Sequence, residues 1–462
     1  MVLLVARNNN MRGSCGIFGV LAVFVPMLAL AETQPAQTVE LTDAQALAVS
    51  DMMIGAGDLS AANDLLNDIL GSDDVNIRIR ALFNLGRVAI ANGDYNTAQK
   101  YLLTILKWHP GYTNARIELA RAYMLANDYE NADFQLRLAL GDKNLPEPVA
   151  KQVQMMLNYV RQNKTWAINA GLSLVPDTNI NYATGQSQEC VDFGFGPMCR
   201  QIPKQESGIG LRYDVGADYF WRLSNRFSIR NSISLSALDF KTSQYDDYSL
   251  YLATGPRYTG NKWELSIQPF VQMHWYGGKY YNTAPGIRAD ASVDITQRID
   301  VDFGGALMRT LYHNDAIDKF WRSDEYTAYI QPRYYLNNKS FVQIGAQYSN
   351  VDALEHAYSN TSQTYYVGYY SELPWTLNIY ARLDFTNTEY KDDMFFITSD
   401  HKLRSFTRKD TSYRGYLRLA TRYFEPWRIY PALNYTYTAR KSNVPAYEYE
   451  KHRLELNINY RF

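Results

Sequence analysis

The property that most restricts how this chain can fold is strict alternation of apolar and polar residues. From Arg453 to Phe462, residues Leu454, Leu456, Ile458, Tyr460 and Phe462 fall on one parity, and Arg453, Glu455, Asn457, Asn459 and Arg461 on the other. A period of two is that of a strand with one apolar and one polar face. Ten residues is about the length that crosses a bilayer core at the tilt of a barrel strand. The same pattern recurs upstream. Trp166, Ile168, Ala170, Leu172 and Leu174 alternate with Ala167, Asn169, Gly171 and Ser173, and Trp263, Leu265, Ile267, Pro269, Val271, Met273 and Trp275 with Glu264, Ser266, Gln268, Gln272 and His274. In a membrane barrel the apolar parity meets lipid and the polar parity lines a wet lumen.

Turn residues and charge clusters divide the second half into fourteen expected strands, near 165–175, 207–222, 226–240, 247–258, 262–276, 286–296, 298–311, 322–336, 340–350, 363–373, 375–387, 410–423, 427–440 and 449–462. Short connections (223–225, 259–261, 337–339, 373–374, 424–426) alternate with long ones (176–206, 277–285, 351–362, 388–409). Outer-membrane barrels have short periplasmic turns and long outer loops, and an even strand count leaves both chain ends in the periplasm. The expected lumen-facing charges are Arg414, Arg418, Arg422, Glu264, Asp300, Asp302 and Glu455, a mixture of both signs. There are 38 Tyr against 19 Phe, which suits the two water–membrane interfaces, where an aromatic ring with a polar tip is favoured.

The first half follows other rules. Arg7 and Arg12, the apolar stretch Ile17 to Leu30 and the small residues around Ala29 and Ala31 read as a secretory signal over residues 1–31. Residues 32–163 read as a periplasmic helical domain. Leu82, Leu85, Gly86, Ala89, Ala98, Leu102, Ile105 and Pro110 are followed 34 residues later by Arg116, Leu119, Ala120, Tyr123, Ala132, Leu136, Ala139 and Asn144. Gly93-Asp94-Tyr95 returns as Asn127-Asp128-Tyr129, and Gly57-Asp58-Leu59 is an earlier, weaker copy. This period resembles the tetratricopeptide repeat. By that resemblance Arg80, Phe83, Arg87, Ile117, Arg121 and Met124 line a concave face suited to an extended or acidic client segment. A last helix, 147–163, leads into the barrel domain, 164–462.

The remaining features narrow the chemistry. Formal net charge is −1, so no nucleic-acid partner is expected. No metal or other cofactor is expected, because the six histidines show no ligand spacing. Asp177-x-Asn179-x-Asn181 begins like a calcium loop, but Tyr182 stands where glycine is required. No catalytic motif is present, and an enzyme is not expected. Cys190 and Cys199, in an exported protein, are expected to staple a loop as a disulfide.

A signal, a short tetratricopeptide domain and a fourteen-stranded antiparallel barrel together resemble the surface lipoprotein assembly modulator family. The sharpest matches are Val175-Pro176-Asp177-Thr178-Asn179-Ile180-Asn181, similar to that family's D-[ST]-N-x-N segment, and Trp427 to Tyr435 with Ser442-Asn443 and Tyr447 to Phe462, similar to its closing hairpin. The resemblance implies an outer-membrane translocator for a surface lipoprotein or secreted protein client. Its surroundings would be outer-membrane lipid and a periplasmic chaperone. Two other readings share the architecture: a polysaccharide-export porin, which wants a lumen of one charge sign, and a small-solute porin with an accessory domain.

Overall fold

The computed structural model describes residues 2–4, 39–192, 196–398 and 401–461. Apart from Val2–Leu4, which pairs antiparallel with Val39–Leu41, the expected signal lies outside the described residues, as does Phe462.

Among the described residues seven α-helices precede the barrel: α1 Asp43–Ala56, α2 Leu59–Asp68, α3 Val75–Ala91, α4 Tyr95–Trp108, α5 Thr113–Leu125, α6 Tyr129–Leu140 and α7 Glu147–Asn163. The repeated turn has a local cause. Gly57, Gly93 and Asn127 take left-handed backbone angles (φ 83°, 78° and 59°), which ends one helix. The aspartate that follows caps the next helix: Asp58 accepts from the Ala61 amide, Asp94 from that of Thr97 and Asp128 from that of Asn131. Compactness divides the described chain after Tyr101, inside α4. The first unit has its own core of Ala46, Leu47, Leu66, Ile69, Ala81 and Leu85. The second unit contains α5, α6, α7 and all of the barrel.

The barrel strands are β1 Trp166–Asp177, β2 Gly208–Arg222, β3 Phe227–Phe240, β4 Asp247–Thr259, β5 Trp263–Tyr276, β6 Lys279–Thr296, β7 Ile299–Tyr312, β8 Ser323–Asn337, β9 Ser340–Ala353, β10 Asn360–Glu372, β11 Leu377–Ile397, β12 Leu403–Thr421, β13 Ile429–Ser442 and β14 Tyr449–Arg461. Among the described residues these fourteen form one closed antiparallel sheet, in which β14 pairs with β1. The side-chain pattern is inverted relative to a water-soluble protein. Leu454, Leu456, Ile458 and Tyr460 are exposed, whereas Arg453, Glu455, Asn457 and Asn459 are partly buried on the inward face. Trp166, Trp221, Trp263, Trp375 and Trp427 are all exposed at the strand ends nearest the helices, an interfacial girdle. Among the described residues no helix is long and apolar enough to cross a membrane.

Three expected loops differ. Residues 279–285 belong to β6, which turns tightly from β5 through Gly277 and Gly278 (φ 57° and 72°). Most of 388–409 is strand, because β11 and β12 run on to Ile397 and from Leu403. Those extensions leave the bilayer, so both faces are wet and the alternation that marks a strand fades. The connection from β7 to β8 holds a short helix, α8 Asp315–Trp321. Cys190 and Cys199 are joined by a disulfide across a two-stranded hairpin, Gln188–Asp192 with Pro197–Gln201, inside the long β1–β2 loop.

The Asp177 motif holds the barrel shut at its outer end. The Asp177 side chain is fully buried and accepts from Lys451 Nζ at 2.9 Å and Arg453 Nε at 3.0 Å, both on β14. The Thr178 amide donates to the His452 carbonyl (3.0 Å), and the His452 amide donates back to Thr178 Oγ1 (2.9 Å). Asn179 Nδ2 donates to the Ala183 and Glu450 carbonyls at 2.9 and 3.2 Å. Asx geometry of this kind builds a compact turn, and no cation is needed for it.

Candidate functional site

The helix-side mouth of the barrel is where the two fold classes meet within the second compact unit. Helix α6 lies across it. Asn131 Nδ2 donates to Tyr430 Oη of β13 at 2.9 Å, and the Phe134 ring meets Tyr370 of β10 edge-on at 5.6 Å. Leu138 packs with Tyr335, Phe341 and Tyr370 of β8, β9 and β10. On the opposite side Arg137 Nη1 reaches Asp294 of β6 at 3.2 Å and Asp300 of β7 at 3.0 Å. Arg161 of α7 joins Asp294 at 2.6 Å, and Arg257 of β4 donates to the Arg161 carbonyl at 3.4 Å. The contacts of α6 and α7 therefore run around the rim from β4 to β13.

The approach is close enough to dictate residue size. A Cβ on Gly141, at the end of α6, would lie 2.4 Å from the Asn337 carbonyl oxygen in the β8–β9 turn. In that turn Asn338 Nδ2 donates to the Gly111 carbonyl (2.6 Å) and to Thr113 Oγ1 (2.7 Å).

Charge fixes the other edge. The fully buried Arg116 of α5 donates to Glu372 Oε2 at the end of β10 (2.6 Å), to Gln135 Oε1 (2.6 Å) and to the Pro110 carbonyl (2.5 Å). Glu372 also accepts from Arg422 at 2.6 Å, and Arg422 is paired with the buried Glu425. Burying an ion costs free energy unless its partners are well placed, so these pairs set geometry more than they add net stability. Burial works against the charge on Arg137, but Asp133, Asp300 and Asp294 outweigh it and hold the guanidinium well above its ordinary range. Burial would likewise raise the Asp133 carboxyl, yet Arg137, Arg161 and Lys164 bring it below the usual carboxylate range. Asp128 lacks comparable compensation, and burial pushes it up.

The expected lumen residues are distributed as follows. Glu264 pairs with Arg257 (2.6 Å), Asp300 and Asp302 with Arg333 (3.4 and 3.5 Å), and Glu455 with Arg212 (3.1 Å). Arg414 and Arg418 share the inward parity of β12, and Arg418 lines a mouth cavity of about 470 Å³ with Arg137, Arg333, Tyr380 and Tyr416. Arg422 lies just beyond β12, in the turn to β13. The interior also holds Arg230 with Asp218 (2.9 Å), Arg288 with Asp290 (2.6 Å) and Arg382 with Asp384 (2.5 Å).

The expected groove residues lie on α3 and α5. Arg80 and Arg87 are exposed and Phe83 is half-buried on α3; Arg80 pairs with Asp51 at 3.2 Å. On α5, Ile117 and Met124 are half-buried, and the exposed Arg121 is 3.7 Å from Glu118. Residues of the mouth that sequence reasoning missed are Asn131, Arg137, Arg161, Asp294, Glu372, Glu425 and Tyr430. One signal was present: Arg116 occupies the repeat position held by Leu82 a period earlier, and a charge at a core position asks for a buried partner. Among the described residues no group of three or more His, Cys, Asp or Glu could hold a metal ion.

A helical-repeat domain that continues into a lipid-exposed, closed fourteen-stranded cylinder defines the class: an outer-membrane β-barrel protein with tetratricopeptide repeats. Residues 166–462 match the family model described as "Surface lipoprotein assembly modifier", and 89–151 match a tetratricopeptide-repeat model. The chain belongs to the surface lipoprotein assembly modifier family. It is 25% identical to "Surface lipoprotein assembly modifier 1" of Haemophilus influenzae over 75% of this chain and 70% of the relative. It is 23% identical to "Surface lipoprotein assembly modifier" of Pasteurella multocida over 81% of this chain and 75% of the relative. The counterpart from Neisseria meningitidis serogroup B is 24% identical over 46% of this chain and 42% of the relative.

Proposed function

We propose that this protein delivers specific lipoproteins, or secreted proteins, from the periplasm to the cell surface. In this reading the faces carrying Arg80, Phe83, Arg87, Ile117, Arg121 and Met124 recruit the client, directly or from a periplasmic chaperone. The barrel then conducts it or inserts it at the outer face. The observation that supports this reading most is the seat of α6 across the barrel mouth, clamped to β6 and β7 by Arg137 and to β13 by Asn131. A segment of the repeat domain thus stands at the entrance through which cargo would pass. The barrel holds no nucleotide motif, so the drive would come from the client's folding outside or from its hand-over.

The internally paired charges of the lumen disfavour a polysaccharide-export porin, which needs a lining of one sign. A helix seated across the mouth disfavours a freely conducting solute porin. The test is to express, with and without this protein, a lipoprotein encoded beside it, and to probe intact cells with antibody. Surface signal that depends on the protein is expected; equal signal in its absence overturns the reading for that client.

A further inference from the structure

Three observations bear on the closing seam of the barrel, β1 against β14. Among the described residues its register holds seven pairs, from Arg453 opposite Asp177 to Arg461 opposite Asn169, whereas the other ladders hold from ten to eighteen. The ladder skips Leu454 and Glu455, opposite Pro176 and Val175 respectively, and a proline supplies no N–H to it. Proline also interrupts β4–β5 and β8–β9, but those ladders retain ten and twelve pairs.

Second, what holds the seam is concentrated at the outer end, in the Asp177 clasp with Lys451 and Arg453. Just below it Arg212 of β2 reaches over β1 to Glu455 of β14 at 3.1 Å, and the next two opposed inward pairs are neutral: Ser173 and Gly171 face Asn457 and Asn459, with a side-chain bond from Asn457 Nδ2 to Ser173 Oγ at 2.6 Å. The inward faces of β2–β3 and β7–β8, by contrast, are tied by Arg230 with Asp218 and Arg333 with Asp300. Third, the outer face of the seam is part of an apolar concavity of about 580 Å³ that runs from Leu211 of β2 to Leu377 of β11 and includes Leu172, Leu174, Leu456 and Ile458. A hydrogen-bonded strand edge cannot stand unpaired in hydrocarbon. A seam that opens from the helix side while clasped outside keeps that exposure short, and places polar groups on one side of the gap and acyl-compatible surface on the other.

Resting on the proposed delivery of lipoproteins, we infer that the β1–β14 seam is the site at which the acylated end of a client leaves the lumen for the bilayer. The Asp177 clasp is the hinge end and the Asn169–Arg461 end is the one that parts. The acyl chains take the concavity beside Leu174 and Leu456, and the polar segment behind them stays against Ser173, Gly171 and the two asparagines.

The experiment locks the seam in the full-length protein. Ser173→Cys with Asn457→Cys places two thiols on directly opposed residues, and Gly171→Cys with Asn459→Cys provides a second lock should the first not assemble. Thr364→Cys with Thr386→Cys, whose hydroxyls are 2.9 Å apart between β10 and β11, is the control lock away from the seam. Surface signal of the adjacent lipoprotein on intact cells should be lost when either seam lock is oxidised, return on reduction, and persist in the oxidised control. Undiminished display through an oxidised seam overturns the inference, as does equal loss with the control lock. Display that never depended on the protein would instead strike the delivery role itself, so the two failures read differently.

Discussion

Arg116, on a repeat helix, and Glu372, at the end of a barrel strand, form a 2.6 Å ion pair across 256 residues of sequence. Neither side chain has appreciable access to water. The pair makes the last repeat helices and the barrel rim one structure, and replacing one partner leaves the other charge buried. Arg116→Met is expected to destabilise the protein by about 3 kcal/mol, since Arg422 still neutralises part of Glu372. Adding Glu372→Gln to that variant should recover part of the loss. Thermal unfolding of the purified protein in detergent, followed by loss of helical circular dichroism, checks both changes.

Gly141 tests the seat of α6 by size alone. Gly141→Val puts carbon where the Asn337 carbonyl sits, and α6 must lift from the β8–β9 turn. The expected outcome is a larger single-channel conductance in planar bilayers than the native protein shows, with strand content unchanged. Native conductance in this variant would mean that α6 does not restrict the mouth.

Asp177 makes a separate prediction at the outer end. Asp177→Ala leaves Lys451, itself buried, and the partly buried Arg453 without their shared carboxylate. A loss of about 3–5 kcal/mol is expected, seen as a lower temperature for conversion of the folded barrel to its slower-migrating form in gels. Asp128→Ala, by contrast, removes a helix cap and a bond from Asn131 Nδ2 (2.9 Å) and should cost roughly 1–2 kcal/mol.

Arg87 and Arg121 address recruitment. Reversing both charges (Arg87→Glu with Arg121→Glu) is expected to reduce client display on intact cells while the barrel's thermal transition stays in place. Both side chains are exposed, so folding has little at stake in them. Unchanged display would remove these residues from the client path.

Alternation at Arg453–Phe462 and at Trp263–Trp275 was enough to read a barrel, because a strand with lipid on one side and water on the other has no freedom in its pattern. The 34-residue period and the Gly-Asp and Asn-Asp turns were legible for a similar reason: each is a local backbone requirement. The extensions of β11 and β12 were not, since Lys391, Asp392 and Asp393 stand where water bathes both faces and nothing enforces parity. The mouth was least legible. Arg137, Asp294 and Asp300 become partners only once the chain has closed on itself, and no spacing in the sequence carries that information. Arg116 alone announced itself, as a charge in an apolar repeat position.

β11 has 21 residues and β12 has 19, about twice the 9–11 that a bilayer crossing requires. At roughly 3.3 Å per residue and a tilt of about 45° the surplus carries the ribbon on the order of 20 Å beyond the hydrocarbon core. Anything that patrols the outside of the cell, an antibody or a phage tail fibre, meets this ribbon together with the disulfide hairpin, whose Asp192 amide donates to the His401 carbonyl at its tip (2.6 Å). Sequence drift between strains should therefore concentrate between Asp392 and Thr407, sparing Phe396, which is buried against Phe406 and Tyr447.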